Sequence, residues 1–224
     1  MTPELIIFDM AGTTVRDDRF VHETLAMAMQ TIGIQPSYAD LNDVMGLPKP
    51  VAIAHLLSKS GEAATPELVN SLYEVFLGNM LAFYRNDERV QEIPGTTALF
   101  HRLKAAGILI ATDTGFSRDI ADVIIDRLGW RELLDASICS DEVSAGRPSP
   151  EMGFELMKQL GVTDPARVLK TGDTASDIQM GKALGCGWTV GVTSGSLTHE
   201  ELMQENPTAV IGSVAELDTI WKRQ

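Results

Sequence analysis

Short apolar runs alternate with amphipathic stretches along most of the chain, and this alternation restricts the fold more than any other feature of the sequence. The runs occupy 4–8, 108–112, 136–140, 168–171 and 188–192, each followed by turn residues, while 96–106, 118–128, 151–160 and 177–184 repeat apolar residues at helical spacing. A parallel strand is re-entered through a crossover, most often a helix, so repeated switching of this kind predicts a parallel sheet covered on both faces. The expected fold is α/β, a Rossmann-like doubly wound sheet. From about 17 to 88 the alternation stops and only helical periodicity remains: Phe20, Thr24, Met27 and Ile32 fit one face, and Leu72, Val75, Phe76, Met80 and Phe83 another. The expected division is therefore an α/β core made of 1–15 and 90–224, with 16–89 inserted as an all-helical cap domain.

The most informative stretch is Ile6-Ile7-Phe8-Asp9-Met10-Ala11-Gly12-Thr13-Thr14-Val15, an apolar strand running straight into an aspartate and a tight Gly-Thr turn. In open α/β sheets ligands bind outside the carboxyl ends of the strands, which is where Asp9 falls. A strand-ending Asp is also a common turn residue, so the later segments carry weight. Ala111-Thr112-Asp113-Thr114-Gly115 ends a second strand with a hydroxyl and a run of backbone amides. Gly146-Arg147-Pro148 sets a lone cation beside a turn. Lys170-Thr171-Gly172-Asp173-Thr174-Ala175-Ser176-Asp177 ends another strand with two acids four residues apart.

Nucleophile, hydroxyl, cation and acid pair in that order resemble the haloacid-dehalogenase superfamily, over a span from Asp9 to about Ser196. Such a site suits phosphoryl transfer, which depends on positioning and charge neutralisation. A carboxylate nucleophile divides one hard displacement into two easier ones, and Mg²⁺ is the expected cofactor because it bridges anionic oxygens. The resemblance implies Asp9 as nucleophile and metal ligand, the Ala11 carbonyl and Asp173 as further ligands, and Asp177 acting more remotely, with Gly12 and Thr13 in support. It implies Thr112, with the amides of Asp113 and Thr114, as phosphate donors, and Arg147 as the balancing cation where most relatives have Lys.

One position narrows the chemistry. Phosphate-ester hydrolases of this superfamily carry a second aspartate two residues after the nucleophile to protonate the leaving alkoxide, and here that residue is Ala11. Asp-x-Ala-Gly-Thr-Thr resembles the phosphonatase-like (phosphonoacetaldehyde hydrolase) branch, in which a cap lysine forms an imine with the substrate aldehyde and carbon is the leaving atom. Met45-Gly46-Leu47-Pro48-Lys49 is similar to the stretch around that lysine, which implies Lys49 as the imine former and Met45 as a substrate contact. The sequence departs from the branch at Ala52, where a histidine is expected (His55 is the nearest ring), and at Arg19, near the place of an expected cysteine. A small phosphate-ester phosphatase, phosphoglycolate phosphatase-like, is the alternative reading, and a phosphometabolite sensor without turnover a third.

Composition excludes some partners. A formal net charge of −13 argues against nucleic acid or an anionic membrane as partner, and leaves a small anionic phosphonate or phosphate as the expected one. No apolar run reaches the roughly 18 residues of a membrane span, the first residues lack a basic leader, and Cys139 and Cys186 read as free thiols, so the expected location is the cytoplasm. The remaining expectations are minor: His22, His101 and His199 as surface or capping groups, Trp221 packed at the core edge, and a possible homodimer through the apolar face near 20–29.

Overall fold

The computed structural model describes residues 2–17, 19–45 and 47–222, with side chains to 220, so Gly46 and the side chain of Trp221 lie outside the described residues. Among these, six strands form one all-parallel sheet: β1 (Leu5–Phe8), β2 (Leu109–Thr114), β3 (Ala136–Cys139), β4 (Val168–Gly172), β5 (Trp188–Val192) and β6 (Ala209–Ile211), in the order β3-β2-β1-β4-β5-β6. The doubly wound sheet is as expected. The edge strand β6 was not anticipated, because three half-buried residues carry no periodic signal.

The helices are α1 (Phe20–Gln30), α2 (Tyr38–Asp43), α3 (Lys49–Lys59), α4 (Pro66–Asn86), α5 (Thr96–Ala105), α6 (Arg118–Arg127), α7 (Glu151–Leu160), α8 (Ala175–Leu184), α9 (His199–Gln204) and α10 (Thr219–Lys222). Two apolar clusters divide them. Leu5, Ile7 and Ala111 face Met152, Leu156, Met180 and Leu184 of α7 and α8. Ile6, Phe8 and Ile110 face Leu99, Phe100, Ile120 and Ile124 of α5 and α6, and this cluster runs on into α1, α3 and α4. Successive strand residues thus serve opposite layers, as the pleat requires.

On the second face the aromatic rings interlock edge to face. Phe100 meets Phe8 and Trp130 with centroids 5.2 Å from each, and Trp130 Nε1 donates to Thr97 Oγ1 at 2.9 Å. Such pairs contribute about 0.5–1.5 kcal/mol beyond their buried area.

Helices α1 to α4 lie between β1 and α5 in the chain. The two segments connecting them to the sheet pair with each other, Arg16 N donating to Gln91 O at 2.9 Å and Ile93 N to Thr14 O at 2.8 Å. Tyr84 of α4 meets Phe116 edge to face at 5.8 Å, and Arg127 of α6 donates to Tyr84 O at 2.9 Å. The apolar face of α1 differs from its expectation: Phe20, Val21, Leu25, Ala28 and Met29 are buried, whereas Met27 is 51% and Ile32 40% exposed. Because α1 packs on α4 within the chain, most of the face near 20–29 is already covered. In α4, Tyr84 is buried and Phe83 only half-buried. Cys139 and Cys186 are free, and no described helix is long and apolar enough to cross a membrane.

Phe100→Ala is expected to cost about 3–5 kcal/mol, the range for deleting a buried aromatic ring. Urea unfolding should show the loss as a lower midpoint with an unchanged slope.

Candidate active site

The site grows out of the ends of three adjacent strands. Phe8 pairs in register with Thr112 on β2 and Thr171 on β4, so Asp9 emerges one residue later from the middle of the sheet. The turn after it is closed by three amides, Thr13, Thr14 and Val15, all donating to Met10 O at 2.9–3.1 Å, while Thr14 Oγ1 donates to Asp9 O at 2.9 Å. Gly12 adopts φ +82°, and a Cβ there would lie 2.6 Å from Asp173 Oδ2. Glycine is thus required on two counts, conformation and the approach of the second acid. Thr13 Oγ1 stands 3.4 Å from both Asp9 Oδ2 and Asp173 Oδ1.

Beneath this turn lies a buried ionic network. Arg147 Nη1 donates to Asp9 Oδ1 at 2.7 Å and to Asp177 Oδ1, with Asp113 Oδ1 at 3.9 Å. Lys170 Nζ donates to Asp113 Oδ1 at 2.7 Å and Asp177 Oδ1 at 2.8 Å. Asp177 is the hub, because its Oδ2 accepts from the hydroxyl of Thr174 at 2.6 Å and its amide at 3.2 Å, completing the capping box of α8. A Cβ on Gly172 would fall 2.0 Å from Asp177 Cγ, so this residue too must lack a side chain. Burial acts to raise Asp177, but Arg147 and Lys170 outweigh it and hold the carboxyl well below the usual carboxylate range. Burial raises Asp9 to about 6 against the pull of Arg147, and burial together with Asp9 and Asp177 pushes Asp173 well above its ordinary value.

A cavity opens above Asp9, and its walls include Ala11, Asp17, Met45, Lys49, Thr114, Arg147, Asp173 and Ser196. Most of the residues expected from the sequence meet here. Lys49 opens α3, is 4% exposed, and is pushed down to about 8, chiefly by burial. The loop before it presses on the core, since a Cβ on Gly146 would sit 2.8 Å from Pro48 Cγ.

Thr112 and Asp113 lie within the strand, not at its end. Strand β2 continues to Thr114, two residues past the expected end, which leaves Thr112 opposite Phe8 in mid-strand with its hydroxyl buried and unpartnered, away from the cavity lining. Asp113 turns its carboxylate to Lys170. The hydroxyl at the cavity is that of Thr114, whose Oγ1 accepts from Phe116 N at 3.1 Å.

Three features were not anticipated. Asp17 falls in a loop without periodic pattern. The Gly195–Ser196 loop closes on the acid pair, with Ser196 N donating to Asp173 Oδ2 at 2.6 Å and a Cβ on Gly195 falling 2.1 Å from the same oxygen. Lys170 reads as an ordinary strand residue until its distant partner Asp113 is known. His22, expected at the surface, is 6% exposed, whereas His101 and His199 are exposed.

The residues fit a divalent cation. Asp9, Asp173 and Asp177 each offer a carboxylate oxygen, all within 4.8 Å of one another. Among the described residues of the network and turn, four buried carboxylates (Asp9, Asp113, Asp173, Asp177) face two buried cations (Arg147, Lys170). The excess negative charge and the hard oxygen donors match Mg²⁺. Asp9 and Asp173 are the better placed, because Asp177 is already engaged by Arg147, Lys170 and Thr174.

The low Lys49 pKa carries a stability sign. Its folded value of about 8 lies below the ordinary 10.5, so the cost of burying an ammonium is in full force below pH 8 and disappears as pH rises through 10.5. Lys49→Met should therefore be more stable than the native chain at pH 7, with the gap narrowing above pH 8. Denaturant midpoints across that range measure it.

Comparison with known proteins agrees with this geometry. The model of the haloacid dehalogenase-like hydrolase family matches residues 3–185. A phosphonoacetaldehyde hydrolase from Bacteroides fragilis is 34% identical over 216 residues, covering 88% of this chain and 80% of that protein. One from Bordetella pertussis is 31% identical over 201 residues, covering 84% and 72%. A solved phosphonoacetaldehyde hydrolase-like protein from Oleispira antarctica superposes with a TM-score of 0.88 at 25% identity, over 100% of this chain and 92% of that one. A predicted phosphoglycolate phosphatase from Haemophilus somnus superposes at 0.83 with 18% identity, over 99% of each, which is a likeness of fold alone. With its strand-end aspartates, buried Arg147 and Lys49-lined cavity, the chain belongs to the haloacid dehalogenase-like hydrolases, in their phosphonatase-like branch.

Proposed function

We propose that this hydrolase cleaves the carbon–phosphorus bond of phosphonoacetaldehyde or a close phosphonate, with helices α1 to α4 acting as a cap domain over the site. The observation that carries the reading is Lys49, a buried lysine in the same cavity as Asp9 with its pKa pushed down to about 8. A lysine serving only to attract an anion works best fully charged, whereas one that must attack a carbonyl needs its free amine. Burial supplies a useful fraction of that amine near neutral pH.

The chemistry then follows from the residues. The Lys49 amine adds to the substrate carbonyl and loses water to give a protonated imine. Asp9 Oδ attacks phosphorus, the P–C bond breaks, and its electron pair moves into the iminium to form an enamine. Protonation and hydrolysis of the enamine return Lys49 and release the aldehyde, while water cleaves the aspartyl-phosphate. Arg147 stands 2.7 Å from Asp9 Oδ1, where it can balance the charge that gathers on the phosphoryl oxygens. Thr114 and the backbone that follows it form the wall for those oxygens. Bound at Asp9, Asp173 and the Ala11 carbonyl, Mg²⁺ would supply neutralisation between nucleophile and phosphoryl group. Leaving through carbon, the reaction has no alkoxide to protonate, which agrees with Ala11 at the position of the missing acid. The curated relatives named phosphonoacetaldehyde hydrolase support the same reading.

Two substitutions test it by phosphate release. Asp9→Asn should abolish turnover of every substrate, and retained turnover would contradict the nucleophile. Lys49→Arg keeps the charge but cannot form an imine, so phosphonate cleavage should fall to background. Phosphonate turnover at the native rate in this variant would refute the imine.

A further inference from the structure

Imine formation needs proton transfer as much as it needs an amine. The carbonyl oxygen must gain two protons to depart as water, and the attacking nitrogen must lose one. Within the acid cluster Asp177 is engaged by Arg147 and Lys170, and Asp9 and Asp173 are the proposed nucleophile and the better-placed metal ligands, so each already has another task. Asp17 stands apart from that cluster yet lines the same cavity as Lys49. Its Oδ1 accepts from Val21 N at 3.2 Å, so the first turn of α1 orients the carboxyl. Asp17 and Ser196 also line a second, wider cavity together with Arg19, His22 and Tyr38. Tyr38 is 53% exposed, so this second space reaches the surface. The His22 ring stacks on Tyr38 at 5.3 Å, with the Arg19 guanidinium 5.0 Å from the centre of the Tyr38 ring. His22 is itself buried and lines that space beside Asp17.

We propose that Asp17 is the proton-transfer group for imine formation at Lys49, exchanging its proton with solvent through the cavity lined by His22, Arg19 and Tyr38. The inference rests on the imine reading above. Protonated Asp17 gives its proton to the carbonyl oxygen as the Lys49 nitrogen bonds to carbon, leaving a carboxylate and an N-protonated carbinolamine. The carboxylate takes one proton back from nitrogen. It then delivers it to the hydroxyl, the C–O bond breaks, water leaves and the nitrogen lone pair closes the C=N⁺ bond. Hydrolysis after P–C cleavage runs these transfers in reverse. The electrostatics agree: burial raises Asp17 above its ordinary value, which favours a proton to give. His22, pushed down chiefly by burial, is held towards its neutral form beside it.

The test is the rate at which borohydride traps the Lys49 adduct of phosphonoacetaldehyde in the Mg²⁺-loaded protein, read by peptide mass. Asp17→Asn should slow trapping by about 10²-fold or more, the usual scale of a lost acid–base group, and Asp17→Glu should recover part of it. Beryllium-fluoride binding at Asp9 should persist in Asp17→Asn, which separates a lost proton from a disturbed site. Trapping at the native rate in Asp17→Asn would overturn the proposal, as would slowed ester hydrolysis with unchanged trapping, which would assign Asp17 to a leaving oxygen instead. No adduct even in the native protein would refute the imine itself, a result distinct from either.

Discussion

The carboxylate of Asp177 joins two requirements that would otherwise compete. One oxygen closes the capping box of α8 through Thr174, and the other accepts from both Arg147 and Lys170. Arg147 in turn fixes Asp9, and Lys170 fixes Asp113 from across β1. Both cations are thereby tied to one buried carboxylate, and through them Asp9 and Asp113 as well. Charges so deeply buried are stabilising only when every partner is present, since removing one leaves the others desolvated and unpaired, at about 3–5 kcal/mol. The network therefore sets the position of the nucleophile to within a hydrogen-bond length. Gly12, Gly172 and Gly195 are the steric counterpart, each leaving room for a carboxylate that a methyl group would displace.

The helical segment adds what the sheet cannot. Strand ends supply acids, hydroxyls and amides, but Lys49 comes from the first turn of α3, and Met45 before it joins Val21 of α1 and Phe116 after β2 in the apolar lining. Enclosing Lys49 lowers its pKa, and the same enclosure concentrates the fields of Asp17, Arg147 and Asp9 upon it. The lowered pKa therefore depends on how the segment is seated on the core, through Tyr84 on Phe116 and Pro48 against Gly146.

Much of this was legible in the sequence, for local reasons. Asp9, Arg147 and Asp173 each follow a strand or turn marked by composition, and their order along the chain carries the family resemblance. The end of β2 was not legible because the β-branched and polar residues 112–114 give no mark of where pairing stops; the partner strand, Ile138 and Cys139 opposite Asp113 and Thr114, decides it. Lys170 and Asp113 could not be paired in advance, since their contact crosses the sheet between residues 57 apart in the chain. Asp17 and Ser196 sit in loops, where only the folded arrangement brings them to the cavity. His22 was expected as a surface or capping group because no metal-like spacing marks it, yet α1 turns it inward.

The central claim is that Lys49 and Asp9 share one substrate, a carbonyl-bearing phosphonate, and substrate preference reports on it most directly. The measurement is phosphate release by the native protein with Mg²⁺, from phosphonoacetaldehyde and in parallel from a panel of small phosphate esters. Fast release from the phosphonate, with esters near background, is the result this account predicts. Release from esters with none from the phosphonate would contradict it, making Lys49 an anion-binding residue of the cap and requiring an acid to stand in for Ala11.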